Sequence, residues 1–195
     1  MNKIILDKES VVEITVDKDS ICDIRNRNDL VKLKVNLLDN VTLIINEYSE
    51  INKRDYEIEV VQNNNSIFIY NHNYMVDELY NLNIYVELKG INSKNTINIH
   101  GINNSGKSNI IIDGSVLRDT FDNELYENIK LLNIENGMGY VVPNMYINTK
   151  NVIANHAASI TDIDDNYLFY MNSKGINNND AKKLIIDGFL NNDAR

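Results

Sequence analysis

Gly101, four intervening residues and then Gly106-Lys107-Ser108 satisfy the letter pattern of a phosphate-binding loop, whose chemistry would be nucleotide binding. Such a loop works only between a strand and a helix, because the first amides of the helix hold the phosphates. Upstream, NTINIH reads as a strand. Downstream, NIIIDG reads as a second strand, and Gly114 would break a helix there. No α/β alternation surrounds the segment, and no apolar strand ends in an Asp placed to hold magnesium. Gly101, Gly106, Lys107 and Ser108 are therefore expected to form a strand-to-strand turn, with no nucleotide bound there.

Four other side chains carry metal or nucleophile chemistry. Cys22 is the single cysteine, so neither an intrachain disulfide nor a cysteine metal knuckle can form, and a lone thiol usually behaves as a small buried hydrophobe. His72, in NHNY, and His100, at a strand end, read as turn or surface residues. His156, between Asn155 and Ala157, reads on its own as a structural or exposed histidine. The carboxylates are scattered along polar faces and turns, and no pair of them is spaced for acid/base work.

The net charge of −9 would repel a phosphate backbone, and NKR at 52–54 and KK at 182–183 are too short to make a basic patch, so nucleic acid is not an expected partner. No apolar stretch approaches the roughly 20 residues that span a bilayer, and the first residues lack the apolar core of a signal peptide. With one cysteine, these features fit a reducing compartment, and the expected location is the cytoplasm.

The elements that must position these residues follow two periodicities. Up to about residue 155, apolar residues alternate. VKLKVNLL sets Val31, Leu33, Val35 and Leu37 on one face, and YEIEVV does the same with Tyr56, Ile58 and Val60. Further strand-like segments are joined by corners rich in Asn, Gly and Asp, and runs such as NNN at 63–65 read as turns. The stretch 118–132 admits a helical turn before a strand at KLLNI. Asn136-Gly137 is the one Asn-Gly hairpin dipeptide, fewer than a sandwich would use. An all-β solenoid is compatible with this spacing, although no strict repeat appears.

At residue 161 the pattern changes. TDIDDNYLFYMNSKG has acids at a helix start, apolar Ile163, Tyr167, Leu168 and Met171, Lys174 in the last turn and Gly175 placed for a left-handed cap. INNNDAKKLIIDGF predicts a second helix, capped by Asn177, with Ala181, Leu184 and Ile185 as its apolar face and Gly188 closing it. The expected division is a β body over 1–160 and a helical segment over 161–195.

From about Leu125 to Phe189 the chain resembles the C-terminal part of the SufB/SufD family, scaffold components of iron–sulfur cluster assembly. The family pattern has a Leu-rich strand, a Pro, a short strand, His-Gly-Ala, then Leu-Phe-Tyr-Leu-Arg-Ser-Arg-Gly-Ile and a closing Gly-Phe. This chain has KLLNIENGMGYVVPNMYINTKNVIANHAASI followed by YLFYMNSKGINNNDAKKLIIDGF. The resemblance implies a mainly β fold, a right-handed parallel β-helix with a short two-helix C-terminal tail. It implies a scaffold that is not an enzyme, in which a cluster is held transiently and shared with a partner, and His156 is a ligand at the cluster site. The tail would dock a SufC-like ABC ATPase through Tyr167, Leu168, Phe169, Tyr170, Ser173, Lys174, Gly175, Ala181 and Phe189. The β-helix would pair with itself or with a SufB-like subunit.

The departures from the family pattern are specific. Asn128 stands where SufB-like members carry a cysteine, and Ala157 where they carry a Glu after the His. The pattern is thus closer to SufD, which keeps the His. Asn172 and Lys174 replace two arginines, and Lys174 keeps charge without the planar fork. A short, divergent member is expected. The rival reading is a β-helix that binds or cleaves polysaccharide.

Overall fold

Alternation of apolar and polar residues folds the chain into a parallel β-solenoid with two helices at its C-terminal end; the structure, a computed structural model, describes residues 1–190. The strands are β1 (Asn2–Ile4), β2 (Val11–Val16), β3 (Ser20–Arg25), β4 (Lys32–Leu37), β5 (Thr42–Gln62), β6 (Ile67–Leu88), β7 (Lys94–Asn103), β8 (Lys107–Val116), β9 (Asn123–Asn133), β10 (Met138–Ile147) and β11 (Val152–Asp162). They form two walls. One runs β1-β3-β5-β6-β7-β9-β11, and the other runs β2-β4-β5-β6-β8-β10, all in parallel register. The long strands β5 and β6 pass from one wall to the other, and the pairing register shifts between Ile51 and Lys53 where they turn.

Successive side chains point to opposite faces of a strand, so one parity fills the lumen. Leu33, Val35 and Leu37 are buried, as are Tyr56, Ile58 and Val60, in line with the alternation. Val31 departs from it, lying exposed just before β4 begins. Inward columns run from rung to rung. Cys22, Ile45, Tyr70, Ile97 and Glu127 stand in register, and His156 comes next.

The outward faces explain the abundance of asparagine. Asn46 donates to Asp23, Asn71 to Asn46, Asn98 to Asn71 and Asn128 to Asn98, at sequence separations of 23, 25, 27 and 30. A second column runs Asp55–Asn81–Asn109 on the other wall. An Asp fits the first rung because only an acceptor is needed there. At one corner Asn40, Asn65, Asn92 and Asp122 all adopt positive φ, which Asn and Asp tolerate better than other residues with a Cβ. Asn65 donates to Asn40 and Asn92 to Asn65. The Asn runs are turns, and they also form this inter-rung network.

Three local expectations are corrected. Residues 118–132 contain no helical turn: Asp119 and Asp122 take positive φ in a corner, and β9 follows. Asn136-Gly137 lies in the connection from β9 to β10, which belong to different walls, so it makes no antiparallel hairpin. Gly101 lies inside β7 rather than in a turn, where a Cβ would collide with the ring of Tyr74.

The helices are α1 (Asp165–Ser173) and α2 (Asn178–Leu190). Asp164 caps α1 by accepting from the Asn166 amide at 2.8 Å, and Gly175 ends the turn with φ 87°. Lys174 is the C-cap, one step beyond the last turn. Asn177 accepts from the Asp180 amide at 2.9 Å, the capping expected of it. Gly188 does not close α2, which continues through Leu190. Its packed face also differs from the expected one. Leu184 is exposed, while Ile185, Ile186, Phe189 and Leu190 cover Met75, Ile102, Leu132 and Ile134. This cover buries Ile102 on the outer side of β7. Asn73 donates to the Leu190 carbonyl at 3.1 Å and pins the same contact. The tail thus lies along the outside of a wall, while β11, exposed beyond Val152, is left as the bare final strand.

Candidate functional site

The last rung carries His156. It lies on exposed β11, and its register partner on β9 is Glu127, an inward residue with no solvent exposure. Neither carboxylate oxygen of Glu127 has a hydrogen-bond partner. Burial pushes its carboxyl up to about 8, with the charge of Asp113 adding to the shift. Gly114, on the facing wall, leaves the carboxyl room: a Cβ there would stand 2.8 Å from Glu127 Oε1 and 2.6 Å from Leu125 Cδ2. The neighbouring position pairs Ala157 with Asn128, and Asn128 is the last donor of the asparagine ladder. Where SufB-like proteins would have a cysteine, this chain has a ladder rung.

The tail residues divide into two groups. Tyr167, Phe169 and Tyr170 are 68%, 76% and 60% exposed, and α1 has no fully buried side chain. The Lys174 ammonium lies 5.5 Å from the Tyr170 ring centroid, and Ser173 Oγ donates to the Tyr170 carbonyl at 2.7 Å. Leu168 is half-buried, and Gly175 has open space around it. Ala181 and Phe189 face inward instead: Ala181 is fully buried, and the Phe189 ring lies 5.7 Å from that of His100. The structure groups the three aromatics on one exposed helix and places Ala181 and Phe189 where they hold the tail to the solenoid.

Two histidines expected in turns or at the surface are buried instead. His100 is buried beneath α2. His72 is fully buried in the lumen, stacked between Tyr70 and Tyr74, with Nε2 3.0 Å from the Tyr80 hydroxyl. Beside it lies a cluster the sequence did not reveal. Arg54 Nη1 donates to Glu47 Oε1 at 2.8 Å, Tyr70 donates to Glu47 Oε2 at 2.8 Å, and the guanidinium covers the Tyr56 ring at 3.8 Å. Burial alone would raise the Glu47 carboxyl, but His72, the Arg54 charge and the hydrogen bonds from Arg54 and Tyr70 outweigh it and hold it below its usual range. Cys22 is buried close by, and burial pushes its thiol up to about 11, far from a reactive thiolate at neutral pH.

The segment matching the phosphate-loop letters has β7 through Gly101, a bend over 104–106, and β8 from Lys107 onward. A strand follows Ser108, so this segment presents no helix N-terminus to a phosphate. Among the described residues, no group of three or more His, Cys, Asp or Glu converges on a point that would hold a metal. No helix among them is long and apolar enough to cross a membrane.

Residues 77–189, from the second half of β6 through α2, match the family described as "SUF system FeS cluster assembly, SufBD core domain". An iron–sulfur cluster assembly SufBD family protein of Mycobacterium leprae (strain TN) is 40% identical over 50 residues, 25% of this chain and 13% of that protein. A SufBD family protein of Synechocystis sp. (strain ATCC 27184 / PCC 6803 / Kazusa) is 38% identical over 47 residues, 24% of this chain and 10% of that protein. The match to the family extends over more than half of the chain and takes in both the solenoid wall that carries His156 and the docked helices, so the chain belongs to the SufBD core family of SUF iron–sulfur cluster assembly.

Proposed function

We propose that this chain is a non-catalytic, cytoplasmic scaffold subunit of a SUF-type assembly, and that its C-terminal helical segment, residues 161–195 (191–195 lie outside the described residues), docks a SufC-like ABC ATPase through residues 163–189. The observation that carries the docking reading is α1. It is held to the body through α2, has no fully buried side chain, and displays Tyr167, Phe169 and Tyr170. Aromatic side chains are among the residue types that dominate partner interfaces. Nucleotide hydrolysis then belongs to the ATPase.

The β body, residues 1–160 in this division, pairs with a second copy or a SufB-like subunit through its final rung, where β11 has no strand beyond it and Ile153 and Ile160 are exposed. An iron–sulfur cluster is the cargo, built near His156 and shared across that pair. ATP-driven approach of the ATPase subunits shifts the paired solenoids and opens this site. Asn128 and Ala157, with His156 retained, place the chain nearer SufD than SufB in this reading. Family membership removes the support for a polysaccharide-binding function.

Calorimetric titration of the full chain with the SufC-like ATPase of the same genome tests the docking. The expected result is a stable complex that weakens by more than about tenfold when Tyr167, Phe169 and Tyr170 are all changed to Ser, since interface aromatics often contribute about 2 kcal/mol each. These side chains are exposed, so the variant should fold. Unchanged affinity in the variant, or no complex with the unaltered chain, would overturn the docking assignment.

A further inference from the structure

A carboxyl with both oxygens unpartnered inside a protein needs an explanation, because leaving such a group unsatisfied costs more than a typical hydrogen bond contributes. Several buried polar atoms lack partners among the described residues, including Arg54 Nη2, Tyr56 Oη and His72 Nδ1, and most lie deep among covered rungs. Glu127 is the carboxyl among them, and it stands one rung from the bare end. The next residue in its inward column is His156. Neighbouring strands lie about 4.8 Å apart, a separation that lets a Glu and a His converge on one ion. On the facing wall the carboxyl fills the place where a Cβ of residue 114 would stand, 2.8 Å from Glu127 Oε1, and the register partner of Gly114, Met145, stands beyond it on β10.

We propose that Glu127 and His156 together bind a divalent first-row transition-metal ion at the open end of the solenoid, one carboxylate oxygen and one imidazole nitrogen facing it and water completing its shell. Carboxylate and imidazole are a donor pair suited to ferrous iron and to cobalt. The inference rests on the cluster-site reading of His156 and deepens it. It names Glu127 as a second protein ligand, on the wall rather than on the partner, and places the iron inside the mouth of the solenoid before any partner arrives.

The test is anaerobic titration of the full chain with Co2+, followed by its visible d–d absorption and by calorimetry, without ATPase or sulfide. The expected result is one Co2+ per chain, a rise in melting temperature with the ion, and an affinity reduced by more than about tenfold in both Glu127→Gln and His156→Ala. His156 is exposed, so its variant should fold whatever happens at position 127. Paramagnetic shifts of one histidine ring, absent in His156→Ala, would tie the ion to this imidazole. No binding by the unaltered chain, or equal binding by His156→Ala, would overturn the proposal. Because the ATPase takes no part in this titration, loss of the metal site and loss of the docking assignment are separate outcomes.

Discussion

His72 shows how much the lumen changes a single residue. Sealed between two tyrosine rings, it has no water to solvate a charge, and burial pushes its imidazole from the ordinary 6.5 down to about 4. Between these values the unfolded chain binds a proton that the folded chain refuses. The stability tied to His72 is therefore fully present above pH 6.5 and is lost as pH falls toward 4, by about 3 kcal/mol. Urea unfolding at pH 7.5, 5.5 and 4.5 should show this decline in the unaltered chain and a flatter profile in His72→Gln. Parallel profiles would remove the histidine from the account. Glu47 contributes in the same direction but in a lower window, because its depressed carboxyl protonates only below the usual carboxylate range. Neither residue was legible in the sequence. NHNY and IINEYSEINK have polar residues on both parities, so alternation could not say which of them turn inward.

At the scale of elements, the asparagine ladders join rungs that are held otherwise by backbone pairing and the core. Asn71 donates to Asn46 and accepts from Asn98, each at 2.9 Å. Asn71→Ala removes both bonds and is expected to cost about 1–3 kcal/mol in chemical denaturation. Asn71→Asp keeps the bond from Asn98 but turns a carboxylate oxygen toward the Asn46 acceptor, so it should cost at least as much. A variant as stable as the unaltered chain would show that the ladder is decoration. The strands themselves could be read from VKLKVNLL and YEIEVV, and the helices from their caps at Asn177 and Gly175. The ladders could not, because the rung length drifts from 23 to 30 residues and leaves no fixed repeat to detect. The length of α2 exceeds the sequence expectation for a different reason. Contact with Ile102 and Leu132 favours continuing the helix past Gly188, against the local propensity of that residue.

The whole molecule is asymmetric. One side of the solenoid is covered by a docked helix pair, and its final rung, with His156, is open. The position of His156 on that rung could be read only through resemblance, since an isolated His between Asn and Ala carries no signal of its own. Glu127 escaped notice because its burial depends on pairing with strands about 30 residues away in sequence. A scaffold of this shape should join iron with sulfide into a cluster only once its open end has a partner and its tail has an ATPase. Anaerobic co-purification of the chain with its SufC-like ATPase and a SufB-like subunit, followed by measurement of iron and acid-labile sulfide per complex, reads this out. The expected result is iron and sulfide in similar amounts, with both falling several-fold in His156→Ala while the complex stays intact. An intact complex holding no more iron and sulfide than the ATPase alone would contradict the assignment of this chain as a cluster-building scaffold.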